Sequence, residues 1–289
     1  MRLVYIDRFS EESKLANGWL IIKALDRLGH SILSLKQAQE GRNYDMMLVI
    51  RGEWENPLEL KGINPSKPVV LWNWEPPGMP YLTKEKLDGY DKIFCSSHEN
   101  RNYTQALTKT PCSLLIQPID PEIYKPLDIE RDIDIVFTGS FSTIRYNWLW
   151  GIKQLLKIKI GVYGNGWGSS VKEVYREELN FELNRAKMLL ELPMWSSPNF
   201  KGTEITGTHY SLRLLVYLAT NRPVLLPKNK DFDSLWTLKD YFTYSDLPNC
   251  IEKIKLLLSR DNLSMCSNVE ILQNYTYEEQ LKKLIGESL

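Results

Sequence analysis

Several things are scarce in this 289-residue chain, and each scarcity excludes a class of chemistry. The four cysteines (Cys95, Cys112, Cys250, Cys266) are far apart and form no CxxC pair, and only three histidines could join them. Common zinc arrangements and a disulfide framework are therefore not expected, and no metal ligands are assigned. Reduced thiols in the cytoplasm are the expected state. Neither sign of charge dominates: Lys+Arg and Asp+Glu both number 36. A zero net charge gives no general pull toward anionic lipid, and argues weakly against nucleic acid as a partner. No apolar run approaches the roughly 18–20 residues of a membrane span. The opening MRLVYIDRFSEESK turns charged too early for a signal peptide. The GxSxG, HExxH, GxxxxGKS/T and EF-hand patterns are missing, as is a GxGxxG run opening a helix, so no NAD site is expected.

What is present is an alternation of short apolar runs with helix-like segments. RLVYI (2–6), SILSL (31–35), DMMLVI (45–50), KPVVLW (67–72), DKIFCSS (91–97) and CSLLI (112–116) read as strands, with a helix over 11–29 closed by Gly29. The pattern restarts with DIVF (134–137), KIKIGVY (157–163), AKMLLEL (186–192) and PVLL (223–226), and helices are expected over 145–156, 209–220, 247–259 and 261–273. Continuous apolar strands separated by helices indicate βαβ units with parallel sheets covered on both faces. The expected fold is α/β with two Rossmann-like doubly wound domains facing across a cleft. Residues 1–124 form a first domain, the proline-bearing 125–132 a linker, and 133–275 a second domain. A C-terminal helix over 276–289, with Tyr277, Leu281 and Leu284 on one side, packs back toward the first domain.

In doubly wound sheets, ligands sit beyond the carboxyl ends of the strands, so the loops there hold the candidates. In Asp132–Arg145, DIDIVFTGSFSTIR, an apolar strand stops at Gly139-Ser140, small enough for a ligand to approach main-chain N–H groups, and Arg145 adds a planar donor fork. The plain alternative is a tight turn with a solvated arginine. GVYGNGWG (161–168) has room for a flat base, with Tyr163, Gly164, Asn165, Gly166 and Trp167 lining it, or is a glycine turn with Trp167 in the core. Thr208, His209, Tyr210 and Arg213 gather where a helix begins and could cradle an anion. WNWEPPGMP (72–80) sets Glu75 beside Trp74, a ring and carboxylate suited to a sugar, and Glu75 could act as general base. Asp7, ahead of Asn17-Gly18, is a rival base, and Arg51 ends the third strand. Gly18, Arg51, Trp74 and Glu75 are taken as acceptor-side residues, and Glu75, Asp7 and His209 as catalytic candidates.

QPIDPEIYKP, DIDIVFTGSFSTIRYNWL, GVYGNGW and SLRLLVYLATNRPVLL, in that order, resemble the carboxyl half of group 1 glycosyltransferases of the GT-B fold. The nearest branch is that of spore-maturation glycosyltransferases. The closing DLPNCIEKIKLLLSRDNLS and NYTYEEQLKKLI are similar to that branch's last helices. The likeness is specific from about residue 91 onward and only architectural before it. It implies glycosyl transfer from a nucleotide-sugar co-substrate, a UDP- or GDP-sugar, to a glycan, lipid-linked or small-molecule acceptor, with no other cofactor. By position it sets Gly139, Ser140 and Arg145 near the diphosphate or sugar, Tyr163 to Trp167 at the base, and His209, Tyr210 and Arg213 at the phosphate-binding helix. One departure matters: Val216 stands where the family usually has glutamate. Arg145, Arg213 and helix termini would stabilise the departing diphosphate without a metal. The competing expectation, favoured by Val216, is a catalytically silent relative that binds a nucleotide or glycan.

Overall fold

The computed structural model describes residues 1–7, 18–52, 55–74, 79–192, 213–228, 241–260 and 273–289. It divides into two compact units, Met1–Pro118 with Asn274–Leu289, and Ile119–Gln273.

The first unit is a six-stranded parallel sheet in the order β2-β1-β3-β4-β5-β6. Its strands are β1 (Arg2–Ile6), β2 (Ser31–Leu33), β3 (Met46–Ile50), β4 (Val69–Asn73), β5 (Lys92–Cys95) and β6 (Cys112–Leu114). MMLVI and VVLWN are buried at every position, which is why they read as unbroken apolar runs rather than alternating ones. Helix α1 (Gly18–Arg27) ends in a Schellman turn: Gly29 takes φ +75°, and the N–H groups of Gly29 and His30 donate to Asp26 and Leu25. Two serines read as strand residues are helix caps instead. Ser34 forms a capping box with Gln37 and opens α2 (Leu35–Gln39), and Ser97 caps α5 (His98–Leu107). A side-chain acceptor at either position draws the backbone out of the sheet. Helices α3 (Pro57–Ile63) and α4 (Lys84–Leu87) complete the body of the unit. The last helix, α10 (Tyr277–Ser288), packs on α1, burying Tyr277, Leu281 and Leu284 as its pattern predicted, with Arg27 and Glu278 paired at 2.8 Å.

The second unit is a five-stranded parallel sheet in the order β11-β10-β9-β7-β8. It comprises β7 (Ile133–Thr138), α6 (Thr143–Leu156), β8 (Ile160–Tyr163), α7 (Arg176–Asn184), β9 (Ala186–Leu190), α8 (Arg213–Ala219), β10 (Val224–Pro227), β11 (Tyr241–Tyr244) and α9 (Leu247–Leu258). The aromatic edge strand β11 has no counterpart among the sequence expectations, and the helix expected over 261–273 falls almost wholly outside the described residues.

The segment expected to be a linker is tied into this unit. The Lys125 and Leu127 N–H groups donate to the side-chain oxygens of Asn180 and Asn184 at 3.2 and 2.8 Å. Buried Arg222 reaches the Asn184 carbonyl at 2.8 Å, and burial, aided by Arg131, brings its pKa down to about 10.

Both sheets follow one winding order. The chain runs β1 to β2 on one side and then β3 on the other, and β7, β8 and β9 repeat the move. Each sheet therefore has a topological switch point, between β1 and β3 and between β7 and β9, where such folds bind ligands.

Candidate functional site

At the second switch point the two small-residue loops pack against each other. The Gly139 N–H donates to the Tyr163 carbonyl and the Phe141 N–H to the Asn165 carbonyl, both at 2.8 Å. A β-carbon on Gly164 would run into the Gly139 carbonyl, and one on Gly139 (φ +148°) would collide with Arg213 Nη1. The glycines expected to admit a ligand thus admit a neighbouring backbone and a guanidinium. Trp167, expected either to line a base pocket or to lie in the core, spends its indole N–H on the Gly139 carbonyl at 2.6 Å and lies edge-on to Phe137 and Phe141. Tyr163, expected beside it, donates its hydroxyl to Glu182 at 2.5 Å. Burial first, then Glu182, raises that phenol's pKa well above the ordinary value.

Arg145 is corrected from phosphate fork to scaffold. Its side chain is fully buried on the face of α6 that carries Leu149 and Ile152, above the Phe137 ring. Nη1 donates to the Ser140 carbonyl at 2.9 Å and Nη2 to the Leu192 carbonyl at 3.2 Å, while Nε has no partner among the described residues. Burial, then the like charge of Arg213, lowers its pKa to about 10, with Glu191 opposing. Ser142, not Ser140, caps α6.

Arg213 stands at the mouth. Its side chain is 21% exposed, and Nη2 meets Glu191 Oε1 at 2.9 Å. Tyr217, one turn along α8, fixes this helix to β7: its hydroxyl accepts from the Thr138 N–H at 2.8 Å and bonds the Thr138 hydroxyl at 2.9 Å. Val216 on the same helix is half-buried, and among the described residues the carboxylate paired with Arg213 comes from the residue after β9. Glu191 was hidden in the sequence because AKMLLEL reads as one strand; the signal was a lone charge where that apolar run ends. Burial raises its carboxyl pKa, with Arg213 and then Arg145 opposing. Thr208, His209 and Tyr210 lie outside the described residues.

A D-x-D spacing, Asp132 and Asp134, opens β7 at the amino end of the strand, away from this mouth. Both carboxylates are used there, by Arg185 and Lys159 and by Lys187. A second such spacing, Asp231 and Asp233, falls outside the described residues, and no cluster of metal-ligating side chains occurs among those described.

The first switch point is acidic and aromatic. Asp7 directly follows β1, is 8% exposed, and accepts the Tyr5 hydroxyl at 3.0 Å. Burial, then Asp7, raises the Tyr5 phenol well above its ordinary pKa. Across the switch, Arg51 and Gly52 take φ +68° and +72°, and a β-carbon on Gly52 would lie 2.8 Å from Leu71 Cδ1. A left-handed arginine is uncommon and marks a constrained turn at the strand end. Trp74 is corrected from an open sugar platform: it is 4% exposed and packs edge-on to Trp72 at 5.2 Å. Gly18, taken as an acceptor-side residue, is the buried first residue of α1. Glu75 lies outside the described residues.

Residues 145–286 match a family model described as glycosyl transferase-like. No curated protein matches the chain. Among solved structures, sucrose-phosphate synthase from Thermosynechococcus elongatus superposes with TM-score 0.72 at 10% identity, over 99% of this chain and 98% of that one. AviGT4, a glycosyltransferase involved in avilamycin A biosynthesis, gives TM-score 0.69 at 10% identity over 99% and 96%. Anabaena HepE, solved with UDP and glucose, gives 0.68 at 10% identity over the whole of both chains. Against a chain of the GtfA/B complex, this chain spans only 59% of the length. The protein therefore has the two-sheet Rossmann-like fold of solved GT-B glycosyltransferases, with a glycosyl transferase-like sequence over residues 145–286.

Proposed function

We propose that the protein transfers a glycosyl group from a nucleoside-diphosphate sugar to an acceptor hydroxyl. The observation that carries this reading is Arg213, whose guanidinium, on a side chain 21% exposed, is laid against the Gly139 loop at the second switch point. Breaking a glycosyl–phosphate bond leaves negative charge on the departing diphosphate, and a fixed guanidinium at that position stabilises it. The cation is supplied by the protein, so no metal is required. The glycosyl transferase-like match over 145–286 and the likeness to UDP-bound HepE support the same donor chemistry. We take UDP- or GDP-sugars as donors and a glycan, lipid-linked or small molecule as acceptor. Asp7 and Glu75 are the candidate bases toward the acceptor. A cytoplasmic setting fits the free thiols of Cys95, Cys112 and Cys250. No helix among the described residues is long and apolar enough to cross a membrane.

The test is calorimetric titration with UDP, GDP, ADP and TDP, followed by donor hydrolysis across a nucleotide-sugar panel with and without EDTA. Binding of at least one diphosphate and EDTA-resistant turnover are expected. Arg213→Ala should weaken that binding by about 10- to 100-fold, the range for a hydrogen bond to a charged group. Absence of any binding sinks the proposal. Val216 favours a second reading, a silent relative, and binding without turnover on any donor would select it.

A further inference from the structure

We infer that Glu191 is the positioning residue of the diphosphate site, holding Arg213 over the Gly139 loop; this rests on the glycosyl-transfer reading. Its own backbone is clamped on both sides. The Glu191 N–H donates to the Leu225 carbonyl at 2.9 Å, and its carbonyl accepts the Tyr244 hydroxyl at 2.8 Å. The carboxylate therefore starts from a fixed point at the end of β9, next to β7 in the sheet.

Of the two guanidiniums nearby, the carboxylate serves Arg213. Oε1 lies 2.9 Å from Arg213 Nη2 but 3.9 Å from Arg145 Nη2, and Arg145 already spends both Nη groups on main-chain carbonyls. Oε2 is buried and has no partner among the described residues. A carboxylate left half-unsatisfied in a low-dielectric site is costly, so its retention calls for a role. That role is geometric. With Nη2 held by Glu191, Nη1 is brought against Gly139, where even a methyl group would not fit. That ion pair restricts a long side chain that is 21% exposed, so less ordering is left for the binding event.

The charge count agrees. Among the described residues, two guanidiniums and one carboxylate leave a single net positive charge here, which favours an anion. The glutamate is a positioning group. It acts through Arg213.

The test uses the full chain and measures UDP and inorganic pyrophosphate affinity by calorimetry. Glu191→Asp keeps the negative charge but shortens the reach, and should weaken UDP binding about tenfold. Glu191→Gln, whose amide oxygen still accepts from Nη2, should stay within about threefold of wild type. In an Arg213→Ala background, Glu191→Asp should have no further effect, since residues acting as one unit are not additive. Two outcomes overturn the inference alone: wild type binds UDP and Glu191→Asp binds it equally, or the aspartate weakens binding just as much once Arg213 is gone. Wild type binding neither UDP nor pyrophosphate overturns the glycosyl-transfer reading together with it.

Discussion

The two switch points are built by the same winding and furnished in opposite ways. After β1 and β3 stand a carboxylate held by a phenol and an arginine forced into left-handed backbone. After β7 and β9 stand two guanidiniums around one largely buried glutamate, with glycine loops laced together beneath them. Topology supplies a place at which strand ends diverge; the residues there decide whether the place suits an anion or a hydroxyl awaiting deprotonation. Under the glycosyl transfer proposed above, the second unit would hold the diphosphate and the first would present the acceptor.

The comparison breaks most visibly at Arg145. Replacing it with leucine strips the Ser140 and Leu192 carbonyls of their donors, so unfolding free energy should fall by about 3 kcal/mol in a urea titration. UDP affinity, measured on the folded fraction, should fall much less than in Arg213→Ala. An Arg145→Leu protein of unchanged stability would return this arginine to the ligand.

Asp7 sharpens the other side. Asp7→Asn can still accept the Tyr5 hydroxyl, so the fold should be kept. Transfer to the acceptor should drop at least about 100-fold, the contribution of a positioned base, with UDP binding unchanged. Equal loss of transfer and UDP binding would mean that the first switch point does not work separately from the second.

Gly139→Ala joins backbone to site. Its φ of +148° costs an alanine about 1–3 kcal/mol. The new methyl group would also push Arg213 from its seat, so UDP binding should weaken as in Arg213→Ala. A purely structural glycine would lower the melting temperature and leave the affinity of the folded protein intact.

How much of this was legible follows from what each residue announces locally. MMLVI and VVLWN declared central parallel strands because burial on both faces leaves no polar position. Ser34 and Ser97 were absorbed into strands because a cap differs from a strand residue only in where its side chain bonds. Arg145 could have been read correctly: it shares the i, i+4, i+7 face of α6 with Leu149 and Ile152, which is the core face. A charge on that face pulled the reading toward function when spacing pointed inward. The glycine loops were recognised as close approaches, but what approaches is another loop, since pairing between strand ends is a long-range fact. Glu191 gave the least sign of all, one acid closing an apolar run.

Glu191 also yields the smallest effect, one of pH. Burial holds its carboxyl above the ordinary glutamate value of 4.5, against the pull of Arg213 and Arg145. The folded protein therefore keeps this proton to higher pH than the unfolded chain does. The stability it contributes is fully present below the ordinary value and is lost as pH rises through the raised one. Glu191→Gln removes the titration, so subtracting its unfolding free energy from that of wild type isolates this group from every other acid. That difference should decline from mildly acidic to neutral pH. A difference that grows toward neutrality would mean that the two guanidiniums outweigh burial, leaving the second switch point governed by charge pairing and no longer by desolvation.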